Sequence, residues 1–342
     1  MPVLRNISSN LYTIYIDGDN SGKLSCRYNN GFGWSNYGKA GQITITNGTA
    51  GKFAMETVSS GQIHVGYVNS ASGRVYYTYF DYGTWQAEND VSGGNADAPD
   101  IYAYTGAPAL RYISYRDDSA TGAGRASLKK GQGSVWNLVG TQGFSGFAVS
   151  DTEVIVTWGS PDPIPYVACL ENSPGGPARL ELFKYTTAAG WAPVGTTITA
   201  HGSSNIDMIY GDDGYIYLAY SHDLSPLRAR VVRMMPSTGT WEAVGWDVTY
   251  ANNYDLSLAY DSSNSSVYIA LRNQSSSNAG EAYKYNGTAW DRVGGQIFSE
   301  NVSTHSAFFP SIISYQGVPM VIYKDDGSVY GGKVVGRKFS SN

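Results

Sequence analysis

The chain has 342 residues, of which 41 are glycine and 28 tyrosine; aromatic residues reach 13% and charged ones only 15%. A chain this aromatic and this weakly charged buries enough surface to offset its ordering entropy, which excludes a disordered protein. A net charge of −5 argues against a nucleic-acid surface, no apolar run approaches the ~18 residues of a membrane span, and two cysteines, Cys26 and Cys169, exclude a disulfide scaffold. The start, from Met1 to Asn6, has no signal-peptide core, so the expected location is the cytoplasm or, after non-classical export, outside the cell.

Read in chain order, the first runs are Val3–Ser8 and Leu11–Asp17, both short, β-branched or aromatic, and closed by turn residues, so both read as strands. The pattern returns to the end. Asp255–Asp261, Ser266–Asn273 and Glu281–Asn286 are three such runs before Trp290, and Ser311–Tyr315, Pro319–Asp325 and Ser328–Val335 are three more before Phe339. No helix is expected. Tryptophans stand at Trp34, Trp85, Trp136, Trp191, Trp241 and Trp290, with gaps of 51, 51, 55, 50 and 49. Four of them open one phrase, Trp-x-x-Val-Gly, at Trp136, Trp191, Trp241 and Trp290. Four strands A to D per ~50 residues, with the tryptophan opening D, is the size of a propeller blade.

Dividing 342 residues among seven units gives about 49 each. The fold expected is therefore all-β: a single seven-bladed β-propeller over residues 1–342, four antiparallel strands per blade, the last blade packing on the first. Gly159–Pro177 reads as an extended B–C loop of the fourth blade. Cys26 and Cys169 fall in the first and fourth blades, too far apart to pair.

The ends of the B strands form one column: Tyr15 and Asp17, Tyr67 and Asn69, Tyr115 and Asp117, Trp158 and Ser160, Tyr220 and His222, Leu271 and Asn273, Tyr323 and Asp325. Residues i and i+2 share a strand face, so most blades present a ring beside a hydrogen-bonding group. A basic residue opens strand C in five blades: Lys23, Arg74, Arg125, Arg179 and Arg230. Rings that cover the C–H face of a sugar, with carboxylates, amides and guanidinium groups for its hydroxyls, suit a neutral glycan. The packing alternative stands beside this: the rings fill the wedge between blades, and Asp or Asn serves the turn. Both alternatives predict the repetition.

The six periodic tryptophans read as structural, Trp158 as the better ligand candidate. His64 lies on a B strand and reads as interior; His201, His222 and His305 lie in loops at no metal-binding spacing. Asp17–Gly22 has the opening oxygens of a calcium loop, but position 12 is Tyr28 and not glutamate, so a B–C turn is simpler and no metal or other cofactor is expected. Zinc-protease, nucleophile-elbow and phosphate-loop motifs are missing, and Asp81–Trp85 is only a near miss to the Asp-box turn of sialidase propellers.

The aromatic-x-Asp/Asn column, the basic start of strand C and the turn before tryptophan, as in Tyr67–Tyr77 followed by Gly83-Thr-Trp85, resemble the β-propeller lectins of fungi and bacteria. The fucose-binding type has six blades and a regular Arg and Glu pair per site. Here Arg111 stands on one B strand without equivalents and strand C has no repeated Glu, so a seven-bladed lectin of another specificity is the closer likeness. The resemblance implies a multivalent, non-catalytic binder of glycans or glycoproteins, with Tyr15, Asp17, Tyr67, Asn69, Tyr115, Asp117, Trp158, Tyr220, His222, Tyr323 and Asp325 as contact residues. A polysaccharide lyase or hydrolase with one axial site built on Gly159–Pro177 and Asn301–Phe309 is the second reading, and a protein-interaction scaffold the third.

Overall fold

A computed structural model describes residues 2–7, 9–39, 44–104, 110–158, 162–201, 205–222, 226–249, 251–294, 297–299, 306–326 and 332–339. These fold as antiparallel sheets with two 3-10 turns, Gly18–Asn20 and Gln274–Ser276. The first sheet runs β1 (Pro2–Ile7), β2 (Asn10–Asp17), β3 (Lys23–Asn29), β4 (Trp34–Asn36), in that order. Then come β5 (Ala50–Thr57), β6 (Ile63–Asn69), β7 (Arg74–Asp81) and β8 (Thr84–Trp85), followed by β9 (Asn89–Tyr104), β10 (Leu110–Asp117), β11 (Arg125–Gln132) and β12 (Val135–Leu138). The long β9 pairs with both β7 and β10 and joins these two sets into one eight-stranded sheet. The fourth set is β13 (Val149–Trp158), β14 (Pro163–Glu171), β15 (Ala178–Thr186) and β16 (Gly190–Ala200). The fifth is β17 (Asp207–Tyr210), β18 (Ile216–Ser221), β19 (Ala229–Met234) and β20 (Trp241–Ala243), and the sixth β21 (Asn253–Asp261), β22 (Ser266–Asn273), β23 (Ala279–Tyr285) and β24 (Trp290–Arg292). The last sheet has three strands, β25 (Ala307–Tyr315), β26 (Val318–Asp325) and β27 (Val334–Lys338).

The chain divides into two compact units, one of residues 5–174 with 181–194 and the other of 1–4, 175–180 and 195–342. Within each, apolar side chains of successive sheets pack into shared core clusters. Val231, Ile269 and Leu271 meet in one unit, and Leu128, Val156 and Val167 in the other.

The Trp-x-x-Val-Gly phrase is a head-to-tail fastening. The Trp191 indole Nε1 donates to the Val139 carbonyl at 2.8 Å, and Trp290 Nε1 to the Val244 carbonyl at 2.9 Å. Each valine is buried, and the glycine after it lets the ring lie flat on the backbone. Gly140 and Gly245 hold φ of +68°, and a Cβ on Gly140 would come within 2.8 Å of the Trp191 ring. Phe339 lies against Gly294 as the Tyr285 ring lies against Gly245: it follows the third strand β27, its N–H donating to the Pro319 carbonyl at 3.2 Å, so it does not stand where other sets have tryptophan.

Innermost edges are covered as well. On the first strand of a set, a short polar side chain accepts from the backbone of the next first strand. Asp100 Oδ2 takes the Val154 N–H at 2.7 Å, and Asp207 Oδ2 takes that of Leu258 at 2.6 Å. Such acceptors saturate N–H groups that an edge strand would otherwise leave unpaired.

Three expectations need correction. Within the expected Gly159–Pro177 loop, Pro163–Glu171 is instead the second strand of its sheet, pairing with β13 from Val149↔Glu171 to Trp158↔Pro163. Pro163 and Pro165 concealed it, because proline breaks the reading of a strand, yet here both stand at its beginning, where prolines are tolerated. Trp158 consequently ends a first strand, and the B-strand positions of this set belong to Cys169 and Glu171. In the last sheet β27 pairs with β26, so it takes the third-strand place and no fourth strand follows among the described residues. Ser160, His305 and Ser328–Tyr330 lie outside the described residues.

Candidate glycan-binding site

The ring-and-polar column is present in space, but most of it faces inward. Tyr67 and Tyr323 are 0% exposed, Tyr115 and Tyr220 nearly so, and only Tyr15 is half-buried. Tyr67 donates its hydroxyl to Glu88 Oε2 at 2.8 Å, and Tyr323 packs on Phe298. The faces of these rings are covered by protein, as the wedge-filling alternative requires. Leu271 follows the same rule, since it too is fully buried.

The polar members cap the second-to-third-strand turns. Asp17 accepts from the Asp19 amide, Asn20 Nδ2 and Ser25 Oγ. Asp117 accepts from the Ser119 amide, Ser127 Oγ and Gln142 Nε2. Asn69 Oδ1 takes the amides of Ala71 and Ser72 and Asn273 Oδ1 that of Ser276, whereas Glu171 Oε1 takes that of Gly146, in the segment leading into β13. Asp325 is fully buried. Among the described residues no group of three His, Cys, Asp or Glu is set to hold a metal ion, and the Asp17 carboxylate is spent on its turn.

Trp158 is 52% exposed and leans on Tyr104, their ring centroids 4.0 Å apart. His64 is buried, as its strand position predicted. Cys26 and Cys169 are both buried free thiols, and burial raises both above the usual thiol range.

What does reach the surface near the column is a set of basic residues with acceptors. Arg230 donates Nε and Nη2 to Asp247 Oδ1 at 3.0 and 2.7 Å, while Arg228 Nη1 donates to Oδ2 at 3.0 Å. Beside them Tyr220 Oη and His222 Nε2 lie 3.3 Å apart, and Trp246, next to Asp247, is 78% exposed. Burial alone would raise the Asp247 carboxyl, but hydrogen bonds and charge from Arg228 and Arg230 outweigh it and hold it below the usual range. Burial first, then the charge of Arg230, depresses His222, so its imidazole is neutral at pH 7.

The pairing recurs at the start of other third strands: Arg74 Nη1 to Asp90 Oδ2 at 2.8 Å, and Arg179 Nη2 to Thr197 Oγ1 at 3.2 Å. Reading the sequence found the basic half of these pairs and missed the acceptors. They carry a signal of their own, since Asp90-Val-Ser, Thr197-Ile-Thr and Asp247-Val-Thr all have acceptor, apolar residue and hydroxyl in that order. The hydroxyl fixes the segment: Ser92 Oγ accepts the Val75 amide, and Ser145, Thr46 and Ser299 do the same for Ala126, Leu24 and Gly280. The acceptor one turn of the pleat earlier is thereby aimed at the basic side chain. Chemically, guanidinium N–H groups and a neutral imidazole beside a clamped carboxylate offer donors and acceptors, and Trp246, adjacent in sequence, is an exposed indole.

No protein-family model matches the sequence, and no curated protein matches it. Solved structures do resemble the fold. The BP39L lectin from Burkholderia pseudomallei aligns over 98% of this chain and 94% of its own, with TM-score 0.73 and 13% identity. A fucose-recognising lectin of Aleuria aurantia, described as a six-bladed β-propeller, aligns over 84% and 92%, with TM-score 0.58 and 14% identity. The SapL1 lectin, solved with α-methyl fucoside, aligns over 86% and 95%, with TM-score 0.57 and 16% identity. At such identities the likeness establishes the fold alone, that of a β-propeller.

Proposed function

We propose that this protein is a carbohydrate-binding lectin of seven blades that holds glycans at several shallow sites without altering them. The observation that carries the reading is the cluster of Arg228 and Arg230 on Asp247 beside His222, with the exposed Trp246 adjacent in sequence, repeated in part at Arg74–Asp90 and Arg179–Thr197. Guanidinium groups fixed by a carboxylate are pre-organised to meet neighbouring hydroxyls, and Trp246 offers its face to the C–H side of a sugar. The buried Tyr220 stands behind His222, and the inward rings of Tyr15, Tyr67, Tyr115 and Tyr323 shape the sites from beneath. Trp158 is a separate exposed ring for the same kind of stacking. The Leu4 amide donates to Ser311 Oγ at 3.1 Å, as other first strands do to their neighbours.

A glycan array with monosaccharide competition tests the reading, followed by calorimetric stoichiometry with the winning sugar. Expected are binding abolished by a simple sugar, more than one site per chain, and a loss of about tenfold or more at one site in Asp247→Asn. A blank array, or a single site per chain accompanied by polysaccharide cleavage, would overturn it.

A further inference from the structure

Arg111 is the basic residue that stands on one B strand without counterparts, and the recurring pairs do not absorb it. It is 6% exposed. Its Nη1 donates to Tyr77 Oη at 2.9 Å, and its Cζ lies 5.3 Å from the ring centroids of both Tyr77 and Tyr79. No carboxylate among the described residues forms an ion pair with it, and its buried Nε has no partner. The Tyr77 hydroxyl, having accepted from arginine, is placed to donate to His64 Nδ1 at 2.7 Å. Burial and then the Arg111 charge push His64 down to about 3, so the imidazole adds no charge but supplies none to balance the guanidinium either.

A second buried donor without a partner faces the same tyrosine. Trp136 packs edge-on to Tyr77, with centroids 5.0 Å apart, and its indole Nε1 is unpaired. Register explains the neighbourhood: Arg111 pairs with Gly131 and Gly131 with Trp136, so the three stand in one row across β10, β11 and β12. The missing side chain at Gly131 makes room for the Trp136 ring. Sequence explains the orphan. Trp191 and Trp290 give their N–H to the valine carbonyl of a preceding Val-Gly, whereas the phrase after Trp85 reads Gln-Ala-Glu and has none.

Interiors rarely keep a guanidinium without an opposite charge or a donor without an acceptor, because both forfeit hydration. We propose that Arg111 and Trp136 together form a carboxylate-binding site, filled by the carboxylate of an acidic sugar. A carboxylate supplies the missing negative charge and two acceptor oxygens, matching the two orphaned donors in kind. The choice of a sugar as carrier rests on the proposed lectin function; the anion site itself does not.

The test compares glucuronate, its neutral counterpart glucose, and acetate at constant ionic strength, by thermal melting and calorimetry. For the wild-type protein, glucuronate is expected to raise Tm saturably, by roughly 2–4 °C at about ten times Kd, with no such rise from glucose. Arg111→Met should abolish the rise, and Trp136→Phe, which keeps the ring and loses the N–H, should weaken it severalfold. A rise from acetate equal to that from glucuronate supports the site with free carboxylate as its occupant. No saturable rise from either carboxylate beyond that of sodium chloride, or an unchanged rise in both variants, overturns the proposal. Array binding of neutral glycans by Arg111→Met reports separately on the lectin reading.

Discussion

His64 illustrates how one buried side chain carries a solution property. Its imidazole is held neutral down to about pH 3, mainly by burial, while an unfolded chain protonates near 6.5. The folded pKa is the lower one, so the unfolded state binds the extra proton as pH falls from 6.5 towards 3. Stability is therefore lost on acidification, by about 1.4 kcal/mol per pH unit within that window. Urea titrations at pH 7, 6, 5 and 4 should follow this slope, and His64→Gln should flatten it by one proton's worth. An identical slope in the variant would assign the loss to other groups. That His64 is interior was readable from its alternating strand. That it shares Tyr77 with Arg111 was not, because β6 and β7 form a local hairpin but Arg111, 34 residues beyond Tyr77, is brought beside it only by the tertiary structure.

At the scale of elements, the fastening of tryptophan on Val-Gly makes the glycine as necessary as the ring. Gly245 has φ of +68°, and a Cβ there would stand 3.0 Å from the Tyr285 ring and 3.4 Å from Trp290 Nε1. Gly245→Ala is expected to cost about 1–3 kcal/mol through backbone strain and displaced rings. A thermal melt checks it, with the exposed Gly287→Ala, also at positive φ but facing no atoms within 4 Å, separating strain from crowding. The periodic phrase was fully legible in the sequence; its partner across the interface was not, since nothing in Trp-x-x-Val-Gly says that the ring belongs to the valine of the preceding repeat. The second strand of the fourth set was misread for the opposite reason. Pro163 and Pro165 carry a strong local signal, and only pairing with β13 overrides it.

For the molecule as a whole, the proposed lectin function makes the repeat the feature that sets how many sites exist and how they combine. If several weak sites share one chain, binding to a dense glycan surface should exceed binding to the free sugar by roughly 10²–10⁴. Surface plasmon resonance on dense and sparse glycan surfaces measures this, and equal affinities on both would point to a single working site. Composition, the ~50-residue period and the turn residues determined by themselves that the protein is all-β and built of repeated four-stranded sets, because alternation and turn chemistry are local. Which face of each ring points inward was decided only by the tertiary structure. A tyrosine that stacks on a sugar and one that fills a wedge obey the same alternation, and neighbouring sheets settle the matter by covering Tyr67, Tyr115 and Tyr323. The Asp247 clamp and the uncompensated Arg111 likewise follow from which distant side chains were brought beside them, and in a β-structure of long-range pairings that information resides in the fold.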